Sequence, residues 1–275
     1  MHYSLQKDWL SSSETGLPEL IPYIGCAGWA ISSAAKDAFP ESGTHLERYA
    51  HVLPCVEINS SFYRIHKEET YMRWHDSVPE NFRFSVKVPR TITHYKRLQD
   101  CEDEIAVFMA GMARLHEKLG CLLVQLPPSF QYAERQVKSF FETLRNLTAV
   151  GIVCEPRHPS WFTLEAVGLL DKFSIAYVEA DPQIVMNIPS GKYKDILYVR
   201  LHGSPVIYHS SYSTDFLNDL SLRLAREKDA GRRTWCIFDN TASGAALENA
   251  LWVNKAVSKV REQVQGQQSQ YPLNG

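Results

Sequence analysis

Glu155, Arg157 and His158 follow directly on the uncharged run Gly151-Ile152-Val153-Cys154. Ionisable groups at the end of an apolar segment are costly to desolvate unless each finds a counter-charge or a ligand. The pattern recurs along the chain. Apolar runs end in Glu57 and Asn59, in Lys87, in Gln125, in Glu179 and Asp181, in Arg200 and His202, and in Asp239 and Asn240, while Trp29 follows the first such run. Two chemistries suit this set. Glu155, Asp181, His202 and Asp239 offer oxygen ligands with one imidazole, a donor set for manganese, magnesium or zinc, which would hold adjacent sugar oxygens and polarise a carbonyl. Lys87, Arg157 and Arg200 would instead converge on a phosphate or carboxylate, with arginine giving a bidentate clamp. A phosphorylated or acidic sugar held by the cations, with a carboxylate as proton-transfer base, uses both sets. A cross-linked ion network that only seals the fold is the structural alternative.

These residues need elements that bring their ends together. Apolar or alternating runs predict strands over 21–27, 55–58, 82–88, 121–126, 151–155, 174–179, 196–201 and 233–238. In the third, Phe82, Phe84, Val86 and Val88 alternate with Arg83, Ser85 and Lys87, so Lys87 faces opposite to the phenylalanines. Helices are expected over 44–52, 68–77, 102–119, 134–147, 164–173, 214–230 and 244–264. Thr44 with Glu47 reads as a capping box and Gly120 as a C-terminal cap. His116 falls on the apolar stripe of the third helix, as a packed histidine. Only the stretch 181–194 lacks a helical pattern. Regular βα alternation requires parallel strands with right-handed crossovers, and eight units predict an α/β fold, a single (β/α)8 TIM barrel with an irregular or short sixth crossover. Residues 1–20 read as an irregular lead-in, 21–264 as one barrel domain and 265–275 as a flexible tail. In such barrels chemistry sits at the C-terminal ends of the strands.

The bulk numbers agree with this class. The 275 residues fit one barrel, and 44% hydrophobic content supplies a sizeable core. A net charge of −2 gives no global basic field for nucleic acid or membrane. The N-terminus lacks the pattern of a signal peptide, and no apolar run has bilayer length, so a cytoplasmic protein without membrane partners is expected. Six cysteines without a Cys-x-x-Cys pair read as reduced core thiols.

Six motifs lie within the stretch from Ile21 to Val253. They are Ile24-Gly25-Cys26-Ala27-Gly28-Trp29, Val56-Glu57-Ile58-Asn59-Ser60-Ser61-Phe62-Tyr63-Arg64, Lys87-Val88-Pro89-Arg90-Thr91-Ile92-Thr93-His94, Gln125-Leu126-Pro127-Pro128-Ser129-Phe130, Glu155-Pro156-Arg157-His158-Pro159-Ser160-Trp161 and Tyr198-Val199-Arg200-Leu201-His202-Gly203. Through them the chain resembles the YecE-like family, called domain of unknown function 72. The resemblance implies a TIM-type barrel and a bacterial-type cytoplasmic protein, and no established reaction. It also implies a distant relation to sugar isomerases, in whose xylose-isomerase-like members the metal ligands are similar in order to Glu155, Asp181, His202 and Asp239. Cys26-Ala27 stands where the family more often has Thr-Ser.

The expected function is an enzyme on a sugar-like or phosphorylated small molecule, working by proton transfer as an isomerase or epimerase does, with a divalent metal as a possible cofactor. Glu155 or Glu179 is the expected base, with Lys87, Arg157, Arg200 and His202 positioning the oxyanion. Trp29, Glu57, Asn59, Gln125, His158 and Asn240 complete the expected substrate contacts. Two alternatives differ in class. Trp29, Phe62, Tyr63, Trp161, Tyr208 and Tyr212, beside His94, Tyr95, Lys96 and Arg97, would stack on nucleic-acid bases in a binding protein or metal-dependent phosphodiesterase. A non-catalytic ligand-binding protein is the other.

Overall fold

The computed structural model describes residues 21–189 and 191–270, with side chains through 259. Eight strands, β1 Tyr23–Cys26, β2 Cys55–Ile58, β3 Arg83–Lys87, β4 Leu119–Gln125, β5 Gly151–Glu155, β6 Ile175–Asp181, β7 Ile196–Leu201 and β8 Arg233–Phe238, lie in the order β1-β8-β7-β6-β5-β4-β3-β2. Every hydrogen-bonded pair is parallel. The helices α1 His45–Ala50, α2 Glu68–Asp76, α3 Glu102–Met112, α4 Glu134–Leu147, α5 Leu164–Lys172, α6 Thr214–Asp229 and α7 Ala245–Gln270 alternate with them. This is the expected (β/α)8 barrel, and among the described residues no helix separates β6 from β7. No helix among the described residues is long and apolar enough to cross a membrane.

Strand alternation sorts the side chains into two layers. Cys55, Cys121, Leu123, Val153, Ala176, Val178, Ile196, Tyr198, Trp235 and Ile237 fill the interior as one buried cluster. The residues between them, such as Val56, Phe84, Leu122, Cys154, Leu197 and Cys236, join the larger core beneath the helices. On α4 the buried Val137, Phe140, Phe141 and Leu144 fall at helical spacing and supply one such face. All six cysteines are buried and free, as expected.

The barrel closes at β1 and β2 through a side chain. Tyr49 of α1 accepts the Cys26 N–H at 2.9 Å and donates from the same hydroxyl to the Cys55 carbonyl at 3.0 Å. Gly25 lets the two strands approach, since a Cβ there would lie 2.1 Å from the Cys55 carbonyl oxygen. Thr44 and Glu47 form the expected capping box that starts α1.

Four expectations about elements are corrected. The helix starting at Glu102 ends at Met112, and a tight 3-10 segment, Ala113–Lys118, leads straight into β4. His116 in that segment has φ +45° and is exposed, not packed. Gly120 is no cap, because it lies in β4, where a Cβ would meet the Trp235 ring at 2.6 Å. The final helix runs through Gln270, beyond the expected end at 264. The expected lead-in, 1–20, and the last five residues of the expected tail lie outside the described residues.

Candidate functional site at the barrel mouth

Interior positions near the C-terminal ends of β2, β3, β5, β7 and β8 carry charge. Glu57 and Arg200 are both fully buried and pair at 2.8 Å through Oε1 and Nη2, with Nε at 3.1–3.2 Å from the same carboxylate. Tyr198, two residues before Arg200 on the same face, donates to Glu57 Oε2 at 2.8 Å and meets Ser85 Oγ at 2.8 Å. Arg200 also reaches Glu155 Oε2 at 3.2 Å through Nη1 and Asp239 Oδ2 at 3.0 Å through Nη2. One guanidinium therefore bridges three carboxylates from three other strands. Removing one partner of such a buried pair costs roughly 3–5 kcal/mol, because the other is left uncompensated.

His202 completes the floor. Its Nε2 lies 2.9 Å from Glu155 Oε1 and its Nδ1 lies 2.9 Å from Asp239 Oδ2. An ionised carboxylate only accepts, so both ring nitrogens must donate and the ring is an imidazolium. Burial alone would lower the His202 pKa, but the bonds to Asp239 and Glu155 outweigh it and raise it. The Arg200 Nη1 contact with Nε2, at 3.4 Å, is then cation against cation rather than a hydrogen bond. Burial alone would likewise raise Glu155, yet Arg200 and His202 prevail and hold it at about 2. Asp239 is lowered against its own burial by Arg200 and His202.

Glu155 Oε1 also accepts from Gln125 Nε2 and from Arg157 Nη1, each at 3.3 Å. Four donors on one carboxylate hold it ionised and engaged. The rest of the Arg157 fork has no hydrogen-bond partner among the described residues, and its side chain keeps 15% of its surface open.

Lys87 differs from the other cations. It is buried, and Nζ lies 4.1 Å above the Phe62 ring centroid, with no carboxylate in ion-pair range among the described residues. Burial, then the nearby Arg200 charge, push its ammonium down to about 8. Beside it, burial and the charges of Lys87 and Arg90 push His94 down to about 4, and its ring packs edge-on to Phe62.

The structure thus brings together Glu57, Lys87, Gln125, Glu155, Arg157, Arg200, His202 and Asp239. It does not bring Glu179 or Asp181. The interior positions of β6 are Ala176, Val178 and Ala180, and both acids fall on the outward face. Glu179 pairs with Arg223 of α6 at 2.6 Å, and Asp181 accepts from the Tyr212 hydroxyl at 2.8 Å. Small side chains on β6 instead leave room for Arg200, whose register partner is Ala180. The expected base Glu179 is therefore outside the site. Without Asp181 the expected metal set is incomplete, and Arg200 bonds to the carboxylates that would hold the ion. Among the described residues no group of three or more His, Cys, Asp or Glu side chains is arranged for a metal. These residues do not fit the expected divalent ion.

Three expected substrate contacts also lie elsewhere. Trp29 packs edge-on against Trp74 of α2, and among the described residues no hydrogen bond or ring contact joins it to the ion cluster. His158 accepts from the Ser160 N–H and so caps the 3-10 turn Pro159–Trp161. Asn240 is buried and donates to the Ser210 carbonyl and to Asn249 of α7. Asn59 begins the turn after β2, and its Oδ1 is buried without a partner among the described residues. Sequence reasoning missed Ser85 and Tyr198. The signal was present, since both share interior parity with Lys87 and Arg200. On the opposite face of the barrel, a hollow of about 220 Å³ lined by Pro22, Leu53, Phe82 and Val257 has His51 as its one ionisable lining residue.

The fold and site define a parallel eight-stranded α/β barrel with a charged C-terminal mouth. The family model "Protein of unknown function DUF72" matches residues 23–272, and the chain belongs to that family. The UPF0759 protein YecE of Escherichia coli K12 is 32% identical over 141 residues, 51% of this chain and 50% of YecE. The chain thus aligns with about half the length of that curated relative. The UPF0759 protein YunF of Bacillus subtilis is 24% identical over 262 residues, covering 82% of this chain and 91% of YunF. Crystal structures of DUF72 proteins from Enterococcus faecalis and Thermotoga maritima superpose with TM-scores of 0.71 and 0.70, at 23% and 24% identity. They cover 86% and 88% of this chain, and 96% and 99% of their own, and show the same fold.

Proposed function

We propose that the mouth is the active site of an enzyme that binds an anionic, sugar-like small molecule and moves a proton on it. The supporting observation is the charge balance. Three carboxylates, Glu57, Glu155 and Asp239, face four cations, Arg200, His202, Lys87 and Arg157, which leaves one positive charge. An uncompensated cation in a confined mouth favours an anion.

The roles differ from the expected ones. Glu155 is too strongly held by its donors to act as a base near neutral pH. His202 has both protons committed to carboxylates, so it is part of the charged floor. The two groups with free capacity are Lys87 and Arg157. Arg157 would clamp a phosphate or carboxylate through its open donors. Lys87, with its ammonium near neutrality, would exchange the proton. The six buried thiols fit a reducing, cytoplasmic setting.

The test is calorimetric titration with glycerol 3-phosphate and ribulose 5-phosphate, followed by exchange of the carbon-bound protons beside the ribulose 5-phosphate carbonyl in deuterated water. Binding is expected to weaken at least tenfold in both Arg157→Met and Lys87→Met, with exchange lost in the second. Equal binding by the unaltered chain and both variants would sink the proposal.

One observation favours a second reading. Arg90 lies 5.4 Å from the ring centroids of both Tyr63 and Tyr95, which are exposed. Such a bracket would suit a single-stranded nucleic acid. Two of the other aromatics named for that role serve packing: Trp161 is buried and donates to the Phe130 carbonyl, and Tyr212 bonds to Asp181.

A further inference from the structure

Two buried lysines in this chain invite comparison. Lys118 donates to the carbonyls of His75 and Val78 at 2.8 and 2.9 Å, and so satisfies the end of α2. Lys87 is equally hidden, at 6% exposure, but has no hydrogen-bond partner among the described residues. Its stem follows the interior face of β3, and its Nζ rests on Phe62. Each other cation in the mouth pairs directly with at least one carboxylate, whereas Lys87 acts on Glu57, Asp239 and Glu155 only at a distance, through its charge. Its Nζ still keeps a little surface open to solvent, and a largely desolvated ammonium that bonds to no protein group is explained by use rather than by folding.

We infer that Lys87 is an imine-forming amine, whose Nζ condenses with the aldehyde or ketone carbon of a small anionic substrate in the mouth. This rests on the anion-binding reading above and adds the carbonyl to the substrate class. The neutral amine attacks the carbonyl carbon. The C–N bond forms as the π pair moves to oxygen, giving a carbinolamine. Loss of the carbonyl oxygen with two protons, as water, leaves the imine. One further proton makes it an iminium.

The surroundings favour each stage. Desolvation beside another cation is a physical route to a nucleophilic lysine. With the ammonium pushed down to about 8, roughly a tenth of the chains carry the free amine at pH 7. The iminium restores the positive charge over the Phe62 ring, so the mouth keeps its charge balance and its cation–π contact. The iminium also draws electrons from the neighbouring carbon, which makes the C–H there acidic. With Nζ held in the C=N bond, that proton leaves to solvent rather than to Lys87, and the lysine serves the proposed proton exchange by taking up the electron pair left on the carbon.

The experiment treats the full chain with dihydroxyacetone phosphate, glyoxylate or pyridoxal 5′-phosphate, reduces with sodium borohydride, and maps adducts by peptide mass spectrometry. A borohydride-dependent adduct on Lys87 is expected from at least one probe. It should be faster as pH rises through about 8, suppressed by glycerol 3-phosphate, and absent from Lys87→Arg. The map of the unaltered chain decides even if that variant fails to fold. Adducts spread over surface lysines, with Lys87 unlabelled by every probe, overturn the inference. If glycerol 3-phosphate still binds in an Arg157-dependent way, the anion-binding reading survives that result. If it does not bind either, both fall.

Discussion

At the scale of the residue, the mouth is governed by how one guanidinium is shared. Arg200 holds Glu57, Glu155 and Asp239 together, and His202 ties the last two. The ionisation of these groups is linked to folding. Glu155 and Asp239 are lowered in the folded chain. Their contribution to stability is therefore complete above the ordinary carboxylate range and is lost as pH falls, for Glu155 toward about 2. His202 is raised, so its contribution is complete below its ordinary 6.5 and is lost as pH climbs through the raised value. Thermal melting across pH should show a maximum between these limits. In His202→Gln the alkaline decline should shrink while the acid decline remains. An unchanged alkaline limb would show that His202 is not the imidazolium of this network.

Legibility at this scale depended on parity. Glu57, Lys87, Glu155, Arg200, His202 and Asp239 were readable because each ends an apolar strand. Glu179 and Asp181 end an apolar strand too, and the sequence has no mark that puts them on the outer face. That face was decided by the small residues of β6 and by partners on and before α6, Arg223 and Tyr212.

At the scale of the element, the weak point is the seam between β1 and β2. The hydroxyl of Tyr49 carries the polar connection and Gly25 permits the approach. Tyr49→Phe leaves the buried Cys26 N–H without its acceptor, at a cost of about 1–3 kcal/mol. Gly25→Ala places a methyl against backbone rather than a yielding side chain, so its cost should reach or exceed the ~1–3 kcal/mol typical of overpacking. Denaturant unfolding measures both. A Gly25→Ala chain as stable as the parent would mean that the seam opens without penalty. Boundaries set by local chemistry were legible, such as the Thr44 capping box and the stripe of α4. The end of α3 was not, because its apolar spacing continues through residues that a tertiary constraint winds into a tighter turn. Gly120, expected as the cap of that helix, lies instead in β4, where a Cβ would meet the ring of Trp235 on a distant strand.

At the scale of the whole molecule, five cysteines lie in covered strands and Cys101 is buried just ahead of α3. Burial raises the thiols of Cys26, Cys121 and Cys236, to about 12 in the first two. A disulfide-exchange reagent should therefore titrate all six thiols only in denaturant, at a rate set by unfolding. Fast reaction of one thiol in the native protein would mark a local opening of the barrel wall.

The sequence by itself determined the eight alternating units, the parallel barrel they require and the charged character of the strand ends, because hydrophobic period and turn chemistry are local properties. The tertiary structure decided which of those charges meet. Partners 45 to 143 positions apart in the chain, such as Arg200 with Glu155 and Glu57, are chosen by strand register and interior volume. Those two quantities exist only once the barrel is closed, and they turned an expected metal cage into a network centred on a guanidinium, with one lysine left over.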